Sequence, residues 1–354
     1  MQLGIVGLPS AGKTSIFELL TNHVEMTANN TKLNIATARI PDYRIDFLSD
    51  LFKPKKTTYA QLEIIDVPSL VPGMQKNTAQ FLDSVRKADA LLHVVRVFEN
   101  ENVASLSGEI SPVKDIEAIN YELLLADLDL IEKRIQRINE NKKKNTMLKE
   151  LALLEKIKEN LETGHPLSSL TFDDDEQLLL INYQFLTNKP MLICLNISED
   201  DIFTAQFNGK VEVYEYAKEN NINLIEVSAS IEKEIAQLEE EDKKIYMEEV
   251  GIKESGVVKI ARIMYASLGF ISFFTVGEDE VKAWTINDGT IARKAASKIH
   301  SDIERGFIRA EVIKYDDLHE LKSVVLVKEK GLFKLEGKEY IVKDGDIINF
   351  RFNV

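Results

Sequence analysis

The sequence predicts an α/β protein with a mostly parallel sheet, a helical hairpin insertion and a small C-terminal β-rich domain. Short apolar runs alternate with helical segments in the larger part of the chain, which is typical of a parallel sheet covered on both faces. These runs are Gln2–Val6, Leu62–Val67, Ala90–Phe98, Met191–Leu195 and Asn223–Val227. A helical apolar period extends from about residue 113 to 183, and a two-residue period begins near Leu268.

The middle segment is predicted to form two long amphipathic helices joined by a polar turn. Apolar residues recur at Ile131, Ile135 and Ile138, and they resume at Leu151 after the polar stretch 139–145. Residues 127–160 contain nine Lys or Arg and seven Asp or Glu, a net of +2 in a chain of net charge −14. Both a solvated helix face and a binding surface agree with this charge.

These changes of period divide the chain into three predicted domains. Residues 1–112 and 184–262 form the α/β domain, residues 113–183 the helical insertion, and residues 268–354 the C-terminal domain. Strands of the last domain are expected at Ile271–Val276, Val281–Ile286, Ala310–Ile313 and Tyr340–Phe352.

The composition of the 354 residues indicates a globular chain in a reducing compartment. A net charge of −14 argues against broad electrostatic binding to nucleic acid, because phosphate contacts need Lys and Arg. The single cysteine, Cys194, lies in an apolar run and is expected to be a core residue. We see no signal-peptide pattern and no apolar run of the ~20 residues that span a bilayer. A cytoplasmic protein without membrane contact is therefore expected.

A phosphate-binding loop is predicted directly after the first strand. The stretch Gly7–Thr14 matches the P-loop pattern G-x-x-x-x-G-K-[ST], with a strand before it and a helix after it. Backbone N–H groups of such a loop converge on phosphate, the lysine adds a positive charge, and the threonine hydroxyl is a ligand of Mg²⁺. The expected nucleotide-binding residues are Pro9, Ser10, Ala11, Gly12, Lys13, Thr14 and Ser15.

Asp66 ends the second predicted strand, where P-loop proteins place an acid that holds Mg²⁺ through water. We therefore expect Thr14 and Asp66 to be the metal-binding residues. An Asp after a strand is also a common turn or cap residue.

The segment Asn196-Ile197-Ser198-Glu199 stands where common GTPases have N-K-x-D, the motif that binds guanine. The Asp of that motif accepts two hydrogen bonds from guanine. Glu199 is one methylene longer and the Lys is absent, so the acceptors are not where guanine needs them. The segment therefore favours adenine, unless it is merely the end of a strand.

The combination of NxxE with a GLPxxGK[ST] loop resembles the YchF/Obg-like ATPase family. Further matching stretches occur in family order along the whole chain. They are residues 93–100, 126–129, 274–275, 282–286, 299–302, 304–311 and 344–346.

This resemblance implies a GTPase-like core, a coiled-coil insertion and a C-terminal TGS domain with a ubiquitin-like β-grasp fold. It also implies binding of Mg²⁺ and ATP, with GTP as a second ligand, and a link to ribosomes. Phe98 would line the adenine pocket, Asn196, Ile197 and Glu199 would contact the base, and Ser228 and Ala229 would close the pocket. Trp284 and the stretch 305–309 belong to the TGS signature.

Three departures from the family pattern concern hydrolysis. Pro68 and Ser69 replace family residues of D-x-A-G-L, which stiffens this switch, although Ser69 still has an N–H for the γ-phosphate. Ser105 stands where the family has a histidine that positions water. The segment before Pro41 is shortened, so the threonine that contacts Mg²⁺ has no certain counterpart; Thr31 is our choice, with Thr27 and Thr37 as alternatives. The alternative explanation is that these three changes are neutral and that other residues compensate for them.

The sequence thus favours a Mg²⁺·ATP-binding switch with slow hydrolysis, and three alternatives stay open. These are an ATPase with family-like turnover, a non-enzymatic adaptor with a structural nucleotide, and a true GTPase. Weak binding to ribosomes or structured RNA through the helical and TGS domains is expected, and a monomer is favoured. The basic residues that suggest this contact are Lys133, Arg134, Arg137, Lys142, Lys143, Lys144, Lys298, Arg305 and Arg309.

Overall fold

The strands of the chain form two six-stranded sheets in the residues that the structure describes. This computed structural model describes residues 2–21, 34–71, 73–99, 110–141 and 144–353, so the predicted sites Thr27, Thr31 and Ser105 lie outside the described residues. The strands are β1 Gln2–Val6, β2 Asn34–Arg39, β3 Lys56–Thr58, β4 Gln61–Asp66, β5 Ala90–Arg96, β6 Met191–Asn196, β7 Asn223–Val227, β8 Phe270–Val276, β9 Glu280–Asn287, β10 Phe307–Lys314, β11 Lys334–Glu336 and β12 Asp346–Phe352.

The helices lie between these strands and also form the insertion. They are α1 Lys13–Thr21, α2 Tyr43–Phe52, α3 Gln75–Lys87, α4 Pro112–Glu140, α5 Leu148–Glu162, α6 Asp174–Leu180, α7 Glu199–Thr204, α8 Lys210–Glu219, α9 Ala229–Gln237, α10 Glu240–Val250, α11 Gly256–Ser267, α12 Ala292–Ser297, α13 Ser301–Arg305, α14 Tyr315–Leu321 and α15 Val324–Glu329. No helix among the described residues is both long enough and apolar enough to cross a bilayer.

The first sheet confirms the predicted parallel architecture. Its order is β2-β4-β1-β5-β6-β7, and β1, β4, β5, β6 and β7 pair in parallel. Every residue of β5 is buried, as expected for a central strand with both faces covered. Cys194 in β6 is a buried core residue, as predicted, and burial raises the pKa of its thiol to about 12. Because the strands are parallel, their carboxyl ends meet at one edge, where α/β proteins bind ligands.

The insertion is the predicted pair of long helices, α4 and α5. The first part of α4 packs on the sheet through Ile119 and Leu123, which share a core cluster with Val6 and Phe81. Its second part packs through Ile131 and Ile138 against Leu154 and Ile157 of α5. The hairpin therefore has an apolar core of its own.

A buried carboxylate fixes the insertion to the chain that returns to the sheet. Asp127 of α4 accepts hydrogen bonds from the backbone N–H of Leu186 at 3.0 Å and of Thr187 at 2.8 Å. The Thr187 hydroxyl donates a third bond to it, also at 2.8 Å. Such a group is stable when buried because its acceptor oxygens are satisfied.

The chain divides into two compact units. The first consists of residues 1–36 and 63–257, and the second of residues 37–62 and 258–354. The sheet of the second unit has the order β11-β10-β12-β8-β9-β3, with the β8–β9 hairpin antiparallel and β12 parallel to β8. Its core cluster combines α12 residues Ala292, Ala295 and Ala296 with Phe273 and Ile348. This is the arrangement expected for a β-grasp domain.

The segment 37–62 differs from the sequence-based division, which placed it in the α/β domain. Here β3 pairs in parallel with β9, and Arg44 of α2 forms ion pairs with Asp42 at 2.8 Å and Asp344 at 2.7 Å. The guanidinium of Arg44 also lies 5.3 Å from the centre of the Phe274 ring. Because β9, Phe274 and Asp344 lie far from this segment in the sequence, apolar periodicity could not predict their contacts with it.

Candidate functional site

The loop between β1 and α1 has the backbone geometry of a phosphate-binding loop. Gly7, Ser10 and Gly12 have positive φ angles of 154°, 63° and 97°. A Cβ on Gly7 would lie 2.4 Å from the Val94 carbonyl oxygen, and a Cβ on Gly12 would lie 2.2 Å from Asn196 Nδ2. Both positions therefore require glycine for space as well as for backbone angle. Such a loop followed by a helix N-terminus provides converging N–H donors for an anion.

Lys13, the first residue of α1, lies buried beneath this loop. Its Nζ donates hydrogen bonds to the Leu8 carbonyl oxygen at 3.1 Å and to Ser69 Oγ at 2.5 Å. Burial lowers the pKa of Lys13 to about 8, and the nearby Asp66 carboxylate opposes this shift. An ammonium group with so little hydration is well suited to bind a phosphate oxygen.

One cavity of about 270 Å³ brings the predicted phosphate and metal residues together. It is lined by Lys13, Thr14, Asn34, Asp66, Val67, Pro68 and Ser69. Burial raises the pKa of Asp66, while Lys13 and a hydrogen bond from Asn34 lower it. Asn34 has no counterpart among the predicted site residues, because nothing in its local sequence indicates a ligand.

The oxygen atoms at this cavity fit Mg²⁺. A threonine hydroxyl and an aspartate carboxylate are hard oxygen donors, and Mg²⁺ usually keeps several waters and phosphate oxygens beside one or two protein ligands. In the described part of the chain there is no cluster of three or more His, Cys, Asp or Glu side chains that would hold a metal without such help. Thr37 lies on β2 and does not line the cavity.

Asn196 connects the phosphate loop to the loop after β7. Its Nδ2 donates to the Ala11 carbonyl oxygen at 3.0 Å, and its Oδ1 accepts from the Ala229 backbone N–H at 3.2 Å. The side chain is buried, so both bonds replace water. Contact of Asn196 with a base stays a prediction, whereas its role in holding the two loops is evident from these bonds.

The other predicted base-pocket residues lie near the ends of the same strands. The Ile197 side chain belongs to a core cluster with Val95 and Leu195, and its backbone N–H donates to the Val227 carbonyl oxygen at 3.0 Å. Neither group is therefore available to a base in this structure. Glu199 is exposed at the first residue of α7. Ser228 Oγ lies 2.9 Å from Ser230 Oγ.

Phe98 follows β5 and is held by an arginine. Arg96 Nε donates to the Phe98 carbonyl oxygen at 2.9 Å, and the guanidinium lies 5.3 Å from the centre of the ring. Phe98 is half-buried and follows the carboxyl end of β5. Its place in an adenine pocket stays a prediction.

His93 of β5 is a core residue, as expected from its place inside a strand. It is fully buried, and neither ring nitrogen has a hydrogen-bond partner among the described residues. Burial lowers its pKa to about 3, so the ring is neutral near pH 7, and it does not line the cavity.

The site and the fold together define a P-loop nucleotide-binding protein with a GTPase-like fold. The features that define it are a glycine-bearing loop, a buried lysine, and Thr14 and Asp66 at one cavity. The family model for 50S ribosome-binding GTPases matches residues 2–148, and the YchF-GTPase C-terminal model, described as a protein of unknown function, matches residues 270–353. Ribosome-binding ATPase YchF of Bacillus subtilis is 42% identical over 361 residues, and that of Escherichia coli O157:H7 is 39% identical over 360; each match covers 99% of both chains.

The structure of the Schizosaccharomyces pombe YchF GTPase matches 99% of this chain and 97% of its own, with a TM-score of 0.89 and 29% identity. A GTP-binding protein from Pyrococcus horikoshii has the same fold at 19% identity, with a TM-score of 0.57 over the full length of both chains. The chain belongs to the YchF family, as the resemblance of its motifs implied.

We expect the affinity for ADP to fall as the pH rises above about 8. Lys13 has a pKa of about 8 in the free protein, and a bound phosphate favours its charged form. Binding above that pH must therefore take up a proton, which weakens it by up to about tenfold per pH unit. Calorimetric titration from pH 7 to pH 9.5 measures this slope.

The matched control is Lys13→Met, which removes the titrating group. It should bind more weakly and show no fall in affinity over the same pH interval. A wild-type affinity that stays constant up to pH 9.5 would contradict the assignment.

Proposed function

We propose that this chain binds Mg²⁺·ATP and acts as a nucleotide-dependent switch with slow hydrolysis, in association with ribosomes in the cytoplasm. The observation that supports this most directly is the cavity beside the phosphate loop, which Lys13, Thr14 and Asp66 line together. The relatives of about 40% identity are named ribosome-binding ATPases, and their matches cover almost the whole of each chain.

Each part of the site has a defined role in this proposal. The loop N–H groups and Lys13 would hold the phosphates, and Thr14 and Asp66 would hold Mg²⁺. Bound Mg²⁺ neutralises charge on the phosphate oxygens. The base lies between Phe98 and the segments 196–199 and 228–229, with Asn196 holding the last of these to the loop.

ATP should bind at least as tightly as GTP, because Glu199 lacks the geometry of the guanine-reading aspartate. Isothermal titration with both nucleotides in Mg²⁺ measures the preference. Glu199→Asp, an exposed change, should raise the affinity for GTP while that for ATP stays the same or falls. A wild-type preference for GTP of tenfold, about 1.4 kcal/mol, would show that the chain is a true GTPase.

Hydrolysis of ATP should be near the detection limit while ATP affinity is retained. Loss of a water-positioning group typically lowers rates by ~10²–10⁴, and Ser105 stands in place of the family histidine. Phosphate release in single-turnover conditions tests this. Ser105→His should recover only part of the rate, because Pro68 and Ser69 remain in the switch.

Turnover equal to that of the Bacillus subtilis relative, assayed side by side, would contradict slow hydrolysis. It would favour the alternative of an ordinary ATPase in which another group positions water.

Binding to ribosomes should be weak and salt-sensitive. Lys133, Arg134 and Arg305 are already engaged by Asp129, Glu150 and Asp302, so fewer basic groups are available to RNA phosphates than the sequence suggests. Co-sedimentation at two salt concentrations measures the effect, since electrostatic contacts weaken steeply with salt.

Charge reversal separates a local contact from a general charge effect. Arg137→Glu, near the end of α4, should reduce co-sedimentation, whereas Lys218→Glu on α8 makes the same change of charge elsewhere and should not. Equal effects of the two variants, or binding that is unchanged at high salt, would contradict a contact through the helical insertion.

A further inference from the structure

Ser69 lies directly against the lysine of the phosphate loop. Its Oγ accepts a hydrogen bond from Lys13 Nζ at 2.5 Å, and both residues line the cavity shared with Thr14 and Asp66. The other acceptor of Lys13 among the described residues is the Leu8 carbonyl oxygen, which belongs to the loop itself. Ser69 is therefore the cavity-side hydrogen-bond partner of this ammonium group.

The backbone on both sides of Ser69 is fixed by the core. Val67 and Leu70 are fully buried in the cluster that contains Val6 and Phe81. The Val67 N–H donates to the Ile5 carbonyl oxygen at 3.2 Å, and the Val71 N–H donates to Asn77 Oδ1 at 2.7 Å. Pro68 further restricts the backbone between these anchors. The backbone at Ser69 is consequently held in place on both sides.

We propose that the Ser69 hydroxyl competes with the terminal phosphate of a nucleoside triphosphate for Lys13, and that Ser69 thereby determines how strongly the site distinguishes triphosphate from diphosphate. This inference rests on the proposed binding of nucleotide. The P-loop lysine reaches the β- and γ-phosphates. The ammonium has three N–H donors, and the Leu8 carbonyl oxygen and Ser69 Oγ accept two of them. A β-phosphate oxygen can take the third, so a γ-phosphate oxygen that also reaches Nζ on the cavity side must displace Ser69 Oγ.

The competition affects the two ligands differently. A triphosphate must break the bond between Lys13 and Ser69 before its last phosphate reaches the ammonium, whereas a diphosphate has no third phosphate to place there. Hydrogen bonds to charged groups are stronger than neutral ones, so the loss is significant. Ser69 should thus reduce the affinity for ATP relative to that for ADP.

Ser69→Ala tests this inference because it removes the hydroxyl and keeps Cβ. Titration of the full chain with ADP and with a non-hydrolysable ATP analogue, both in Mg²⁺, gives the ratio of the two affinities. The variant should raise this ratio about tenfold, equal to about 1.4 kcal/mol, and leave the ADP affinity within twofold of wild type. Ser69→Thr keeps a hydroxyl and should restore a ratio near the wild-type value.

Ser49→Ala is the matched control. Ser49 Oγ makes a partly buried bond of 2.6 Å to Thr57 Oγ1 outside the cavity, and its loss should not change the ratio. An unchanged ratio in Ser69→Ala would overturn the inference while the proposed function stands. A lowered ratio would also overturn it, because the hydroxyl would then be a ligand of the terminal phosphate. Failure of the wild type to bind either nucleotide would overturn the proposed function and this inference with it.

Discussion

The site depends on the close approach of Gly12 to the side chain of Asn196. The amide lies so near that a Cβ at Gly12 would meet Nδ2 at 2.2 Å. From this position the same amide bonds to the Ala11 carbonyl oxygen and to the Ala229 N–H, so one buried side chain at the end of β6 fixes two loops. Because the amide is satisfied by the backbone, the loops have their places before any ligand arrives.

Lys13 is a second constraint, of electrostatic origin. Its ammonium group is buried beneath a loop of a chain whose net charge is −14. The groups that stabilise its positive charge are two neutral oxygens, which accept its hydrogen bonds, and the nearby Asp66 carboxylate. Burial without a directly paired anion disfavours the charged form, and a phosphate would relieve this. The net charge of the chain therefore says little about its local preference for an anion.

The sequence was sufficient for those parts of the structure that are encoded locally. Period and motif predicted the parallel sheet, the helical hairpin, the phosphate loop and the burial of Cys194 and His93. They did not predict Asn34 at the cavity, or that residues 37–62 belong to the second unit, where β3 joins its sheet. Both depend on contacts between distant segments, such as Arg44 with Asp344, that leave no pattern within a short window. The two hydrogen bonds by which Asn196 holds the two loops were likewise not predictable from its place in the base motif.

Several matching stretches of the family contain acidic residues whose role is structural. Asp127 satisfies two backbone N–H groups at the base of the insertion. Asp346 is fully buried in the second unit, where Lys314, Tyr340 and the Lys343 N–H all bond to it. Asp344 accepts from the Ser272 N–H as well as from Arg44. Replacing any of these carboxylates would leave buried donors unsatisfied, which costs about 1–3 kcal/mol for each donor. Structural hydrogen bonds alone are thus a sufficient physical reason for motifs far from the phosphate loop. A match along the whole chain therefore supports the fold more directly than it supports the chemistry of the nucleotide site.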